Sequence, residues 1–559
     1  MKDRRIDAVL LGLSALGPGC LAAWHAGNVP DAAHDGGVAR VLGLEPQPWR
    51  ALDVAVGLLL SGFPVGTQAA RAALGSALVL AASGALLYVM ARRLLEACAD
   101  TQRLRFFVAT IAAITPVVAA PWQLEGAAVG GSVTGALLVL LPTGLAGAGA
   151  PWPAVALALG AAMGHEPLVG ACALAGVGAI LAASATARTS LATTWRERPS
   201  LVGVAVLVGL APWLLAVVRV RAAGLPLGAA LAAGWSGERG LSGSGSPIAF
   251  VSREMGVVLI ALAAAGAVLA MLVPRARAPA SACLVVAVTG MCSAALGAPL
   301  GPTRFGGPVL AAFAAACVLA GVAMQALVRA VAAARVPMAR ASAAMVVVLE
   351  LAIPAEMADD ALVRAGRRAA GAAAAWDEAT WAALPPRTVV LITAAPVYAR
   401  ALASRARGAL PADVTLVPAF PQGPRARPDL GDAAELLPLW RDLELVGTPG
   451  EAALSSLAAV RPVVMAYEPA WGKSVAKHLV PATLFDRFEP EPRGASDRRA
   501  GLDGFAPVRD RLARAVAGDP ELREAAAVLL RARARLAVDL AGDADLVART
   551  AADVRAFSD

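Results

Sequence analysis

From residue 7 to residue 354 the chain alternates long apolar stretches with short charged turns, and a lipid bilayer is the solvent that suits such a pattern. A hydrocarbon core about 30 Å thick takes roughly 20 apolar residues per helix. Eleven spans fit, near 7–25, 69–91, 106–121, 127–147, 152–164, 167–185, 200–218, 255–273, 280–299, 306–328 and 341–354. The fifth and the eleventh are short, and losing either would reverse the side on which the chain emerges. The whole chain is 58% hydrophobic but only 4% aromatic. Its apolar mass is therefore Ala, Leu, Val and Gly, small residues that let membrane helices approach closely.

Charge divides the chain in two. Residues 1–354 carry 37 charged side chains, whereas the 205 residues from 355 onward carry 53, the density of a soluble domain. The net charge of +8 suggests nucleic acid at first sight. The basic excess, however, lies in turns between apolar stretches, where membrane topology explains it, so no nucleic-acid partner is expected. With the N-terminus cytoplasmic, the inner turns hold Arg92, Arg93, Arg103 and Arg105, then Arg188, Arg196 and Arg198, then Arg275 and Arg277, then Arg329, Arg335 and Arg340. The outer turns near 122–126 and 164–167 hold no basic residue, although 219–253 and 300–305 do. The balance favours eleven spans and an outer C-terminus. The basic start at Lys2, Arg4 and Arg5 is read as an uncleaved anchor.

Three regions follow: a membrane domain at 1–354 with a long first outer loop at 26–68, an α/β domain at 355–490, and a linker with a helical segment at 491–559. The first loop mixes charge with an apolar run at 54–65, which predicts one or two short helices on the membrane surface. In the tail, strands are expected at 388–393, 414–418 and 462–467, with helices near 396–408, 432–441 and 449–459. No phosphate-binding glycine motif accompanies them, which leaves the tail a docking or accessory role. The six cysteines all lie in or beside apolar stretches and form no CxxC pair. Neither a metal nor a cofactor is expected.

Candidate chemistry gathers in the outer turns. Asp31 and Asp35 lie in the first loop, where a carboxylate can deprotonate an acceptor hydroxyl at the membrane surface; each is equally at home as a solvated acid. His34 between them is ambiguous in the same way. His165 and Glu166 end the fifth span, and Glu125 follows Trp122 on the same side. Arg50, Arg239 and Arg304 share that face, and their guanidinium forks suit a phosphate or pyrophosphate headgroup. The span centres look almost free of charge, unlike those of a transporter.

The order of features over about the first 190 residues resembles the bacterial family related to the transmembrane protein O-mannosyltransferase, whose members have the GT-C glycosyltransferase fold. The matching residues are Asp31-Ala-Ala-His34-Asp35, Leu42-Gly43, Glu45-Pro46-Gln47-Pro48-Trp49-Arg50-Ala51, Phe63-Pro64-Val65-Gly66 and Ala91-Arg92-Arg93. Further on come Ala120-Pro121-Trp122 and Gly160 through Gly164-His165, and beyond them only the Gly234-Trp235 loop is reminiscent. His34 stands where the family has Glu, and little of its proline-rich stretch remains beyond Pro48.

The resemblance implies an α-helical polytopic membrane protein of GT-C type in the bacterial inner membrane. It implies inverting transfer of a sugar, mannose by analogy, from a polyprenyl-phosphate carrier to a hydroxyl of a protein or glycan. Asp31 would be the base, with Asp35 standing in for the missing Glu. The alternatives are an eroded relative that serves as an envelope scaffold, and a lipid-linked-sugar transporter.

Overall fold

The computed structural model describes the chain except residues 1, 27–36, 39–40, 43–47, 65, 99–101, 223–226, 229–230, 232–245, 302–303, 335–338, 366–369, 420–433, 541–542 and 558–559. Two compact units emerge. One is built on residues up to Arg367; the other comprises Arg368–Asp559 and two short pieces, Val29–Ala39 and Thr67–Ala69.

The first unit is helical. It opens with α1 (Lys2–Ala26), the short α2 (Ala51–Ser61) and α3 (Gln68–Cys98). Then come α4 (Gln102–Val118), α5 (Ala120–Gly126), α6 (Val133–Gly147), α7 (Trp152–His165), α8 (Pro167–Ala183), α9 (Ala185–Glu197) and α10 (Pro199–Ala222). The set closes with α11 (Gly256–Leu272), α12 (Arg277–Ala295), α13 (Gly307–Ala333) and α14 (Ala339–Ala365). Among the described residues six helices are long and apolar enough to cross a bilayer, or eight if each bent pair is one span. The unit is therefore a multi-pass membrane structure.

Three sequence expectations change here. The third span is broken, with α4 and α5 meeting at 62° where Pro116 and Pro121 flank the bend. The turn after the sixth span is a helix, α9, which leaves α8 at 109° and buries none of its residues. The eleventh span also continues past 354, to Ala365.

Helix α13 is the axis of the unit. It is buried along most of its length and packs on α4, α6, α11, α12 and α14. Glycine makes this closeness possible. A Cβ on Gly307 would fall 2.8 Å from the Gly135 backbone, so α13 and α6 cross with their main chains in contact. Polar contacts identify the two ends of the bundle. At one end Tyr88 donates to Asp7 Oδ1 at 2.7 Å and Arg92 pairs with the same carboxylate, joining the end of α3 to the start of α1. The end of α7 and the starts of α6 and α13 meet at the other.

The second unit carries a five-stranded sheet in the order β2-β1-β3-β5-β4. Strands β1 (Val389–Ile392), β2 (Thr415–Pro418) and β3 (Val463–Met465) are parallel, while β4 (Leu479–Pro481) and β5 (Asp486–Phe488) add an antiparallel edge. The parallel strands are buried, as an all-apolar run such as Val389–Ile392 requires. The expected linker at the start of 491–559 is largely the first turns of a helix, Ala495–Val516. Asp497 accepts from the Gly494 N–H at 3.3 Å, and buried Arg498 donates to Leu479 O and Lys477 O, so this charged segment is pinned to the sheet.

Candidate functional site

The sequence candidates fall into two groups. Asp31, His34, Asp35 and Arg239 lie outside the described residues. Arg50, Glu125, His165, Glu166 and Arg304 are described, and four of the five are buried, with Glu166 half-buried.

Arg50 is the residue about which this end of the bundle is organised. It sits just before α2 with φ of 59°, a left-handed conformation that a non-glycine residue holds only when its surroundings enforce it. The enforcement is visible. Its backbone N–H donates to His165 O at 2.9 Å. Its guanidinium pairs with Glu166, donates to Gly130 O at 2.9 Å and donates to Ser132 Oγ at 3.0 Å. The fork expected to grip a phosphate is thus engaged by the protein itself. Its geometry is that of a strut fixing the root of the first outer segment to the α7–α8 turn.

Glu125 plays the matching part on the opposite wall. One carboxylate oxygen accepts from the Ser132 N–H at 2.7 Å, and the other accepts from the Phe305 N–H at 2.7 Å. Two backbone donors offset part of the cost of burying this carboxylate. The pair of bonds joins α5 to the start of α6 and to the segment leading into α13. Gly131 fits beneath it only because it lacks a side chain, since a Cβ there would lie 1.8 Å from Glu125 O. Its N–H reaches Ser76 Oγ at 3.3 Å.

His165 is enclosed among these elements. Its Nε2 stands 4.0 Å from Asp53 Oδ2, with both side chains buried, and its ring lies beside Gly135 at the α6–α13 crossing. Asp53 comes from the first turn of α2, three residues after Arg50. Sequence reading assigned Asp53 no role. Its spacing from Arg50 on one short apolar helix is the signal that could have found it. The stem of the segment is held further by Trp49, whose Nε1 donates to Leu231 O at 3.1 Å and whose ring centroid lies 6.0 Å from that of Trp213.

Arg304 adjoins this wall through its neighbour Phe305 and is itself buried. Phe305 packs on Phe250 at 5.7 Å between ring centroids, just before a π-helical turn at Val251–Met255. In that turn Glu254 is buried and accepts from Arg364, near the end of α14, at 2.7 Å. This second buried pair was not anticipated. Nor was Glu350, which lies on α14 within the expected eleventh span, buried, with neither carboxylate oxygen hydrogen-bonded among the described residues. The expectation that the spans are nearly free of charge is corrected to that extent. Among the described residues no group of three His, Cys, Asp or Glu is placed to hold a metal ion.

The arrangement can position a loop and present a buried imidazole–carboxylate pair beside it. Arg50, Glu125, Glu166, His165 and Asp53 converge from the start of α2, from α5 and from the α7–α8 turn.

No protein-family model matches the chain, and no curated protein matches it by sequence. Among solved structures it is similar to ArnT from Cupriavidus metallidurans in the apo state, with a TM-score of 0.51 and 18% identity over 86% of this chain and 97% of that one. ArnT from the same organism bound to undecaprenyl phosphate aligns at a TM-score of 0.46, with 17% identity over 83% of this chain and 92% of that one. The oligosaccharyltransferase of Archaeoglobus fulgidus in the apo form aligns at 0.44, with 14% identity over 85% and 74%. Helical architecture, apolar spans and the likeness to apo ArnT together make this chain an α-helical polytopic membrane protein of GT-C fold with a C-terminal unit of sheet and helices.

Proposed function

We propose that the chain is a membrane glycosyltransferase that moves a sugar from a polyprenyl-phosphate carrier to a hydroxyl of a protein or glycan acceptor. The observation that carries this reading is the buried polar knot at one end of a GT-C bundle. Arg50, Glu125, Glu166, His165 and Asp53 are drawn together from segments far apart in sequence, and they anchor the segment that follows Asp31 and Asp35. Several kcal/mol of desolvation are tolerated where charges are buried so densely, and such sites are more often functional than structural within membrane proteins.

In the proposed reaction Asp31 takes the proton from the acceptor hydroxyl. The freed oxygen attacks the anomeric carbon from the face opposite the carrier. The bond from that carbon to the carrier phosphate oxygen breaks, the phosphate keeps the electron pair, and configuration inverts. Arg304 and Arg239 are the guanidinium groups assigned to the leaving phosphate, with Arg50 holding the loop instead. Asp35 supports Asp31, and His165 shapes the pocket with Asp53.

Mannose is the donor sugar proposed. The membrane proposed is the bacterial inner membrane, with a cytoplasmic N-terminus and the knot and C-terminal unit outside. Arginine placement supports that orientation: Arg92, Arg93, Arg188, Arg275 and Arg277 belong to turns at the end of the bundle away from the knot. The test is transfer of radiolabelled sugar from polyprenyl-phosphate mannose, then glucose, to a mixed peptide and glycan acceptor by the purified protein.

One observation favours a second reading, a scaffold that has lost catalysis. Three of the acids and bases expected at the site, Arg50, Glu125 and Glu166, are spent on one another and on backbone groups. Stable capture of an envelope partner through the C-terminal unit, with no transfer from either donor, is the outcome that reading requires.

A further inference from the structure

A cavity lies at the end of the bundle away from the polar knot. It has a volume of about 430 Å³ and is walled by α3, α6, the start of α7, α8, α9 and α12. Helix α6 measures the separation: Ser132, just before its start, bonds Arg50, while Gly147 at its end lines the cavity. At 1.5 Å per residue the two sites are about 20 Å apart.

The lining is amphipathic. Trp152, Ile180 and Leu94 supply apolar wall, and Ser184, Thr186 and Ser190 supply hydroxyls. Arg93 and Arg275 are its charged residues, and no acid lines it. Arg93 commits one N–H to Ala148 O at 2.8 Å, whereas among the described residues Arg275 makes no hydrogen bond or ion pair. A desolvated apolar floor beneath guanidinium groups and hydroxyls suits a molecule with a phosphate at one end and hydrocarbon at the other.

Depth in the bilayer follows from α9. It turns through 109° from α8 at Ser184, exposes Trp195 and Arg196, and rests on the bundle through Ala187 and Leu191. A helix lying across the bundle end, with an exposed Trp and basic residues, belongs at the lipid headgroup level. That helix lines the cavity through Thr186, Ala187 and Ser190, which sets the cavity at the depth of phospholipid phosphates.

We infer that this cavity is a binding site for an anionic glycerophospholipid, its phosphate held by Arg93 and Arg275 and its acyl stems against Trp152 and Ile180. Basic pockets between membrane helices are suited to such headgroups. The site is independent of the proposed transfer reaction.

The test is native mass spectrometry of the full-length protein in detergent, titrated with phosphatidylglycerol or phosphatidylcholine of matched chains. Wild type should retain phosphatidylglycerol in preference to phosphatidylcholine. Arg275→Ala should lower that retention about five-fold, the worth of one basic residue at a membrane surface. It removes no side-chain bond among the described residues, so folding is spared. Arg219→Ala/Arg221→Ala, which deletes two exposed charges at the far end of α10, should retain lipid as wild type does. Equal retention of the two lipids, or an unchanged Arg275→Ala, overturns the assignment. So does displacement of the lipid by millimolar inorganic phosphate, because it would mark a site for small anions.

Discussion

The guanidinium of Arg50 and the carboxylate of Glu166 form an ion pair within the first unit, between the root of the first outer segment and the turn joining α7 to α8. Arg50 is nearly inaccessible to solvent, and its other N–H groups reach Gly130 O and Ser132 Oγ. Removing the cation would leave Glu166 and these acceptors without their donor. Arg50→Ala is therefore expected to destabilise the protein by about 3–5 kcal/mol, the usual cost of breaking a buried pair from one side. Thermal unfolding in detergent reads it. Arg50→Met with Glu166→Leu should recover part of the loss, and a single variant as stable as wild type would show that the pair carries no load.

Glu125 discriminates between charge and hydrogen bonding. Its two oxygens accept from Ser132 N–H and Phe305 N–H, and Gln offers one acceptor oxygen where Glu offers two. Glu125→Gln should cost about 1–3 kcal/mol, from one buried N–H left unbonded, and Glu125→Ala should cost more than that. The order of the two melting temperatures is the check. Equal values would mean that the bond Gln retains contributes nothing.

Backbone contact between α6 and α13 gives a steric prediction. A methyl on Gly307 would meet the Gly135 main chain at 2.8 Å, and backbone cannot rotate out of the way. Gly307→Ala is expected to destabilise by about 1–3 kcal/mol through overpacking. Gly178→Ala on α8, where a Cβ meets nothing within 4 Å, should be close to neutral or mildly stabilising. Unfolding curves of the two variants side by side decide it.

Much of this bundle is written in the sequence as apolar runs, because a bilayer tolerates little else. Arg50, Glu125, His165, Glu166 and Arg304 could be named as candidates from position alone. Their partners could not. Whether a guanidinium faces substrate or a carboxylate 116 residues away depends on how helices pack, and no local pattern encodes that pairing. Asp53 went unassigned because its meaning depends on His165, brought beside it by the α2–α7 packing. The β4–β5 edge was missed for a different reason. Three-residue strands such as Asp486–Phe488 are too short for alternation to register. The segment after Glu489 reads as a linker by its Pro, Gly and Arg content, and only its contacts with Leu479 and Lys477 reveal an ordered helix start.

Acid should loosen the last helix of the chain, Ala544–Arg555. Asp543 caps it by accepting from the Leu546 N–H, and it pairs with Arg499. The Arg499 hydrogen bond, then the helix N–H, hold its carboxyl below the ordinary 3.8. A lowered folded-state value means that the contribution is fully present above the unfolded-state value and is lost as pH falls through the folded one. Amide hydrogen exchange across 544–555 should therefore accelerate, relative to the rest of the C-terminal unit, as pH drops below about 4. In Asp543→Ala protection of this helix should be weak already at neutral pH and show no such step. A step that persists in the variant would assign the acid sensitivity to another group.

The central claim is that this chain transfers a sugar and that the first outer loop supplies the base. Its most direct test runs purified wild type and Asp31→Asn side by side with radiolabelled polyprenyl-phosphate mannose and an acceptor mixture, at matched folding and detergent content. The account predicts transfer by wild type and its loss, by about 100-fold or more, in the variant. Transfer that survives Asp31→Asn contradicts the assignment of the base. A folded wild type inert toward both mannose and glucose donors contradicts the enzyme itself.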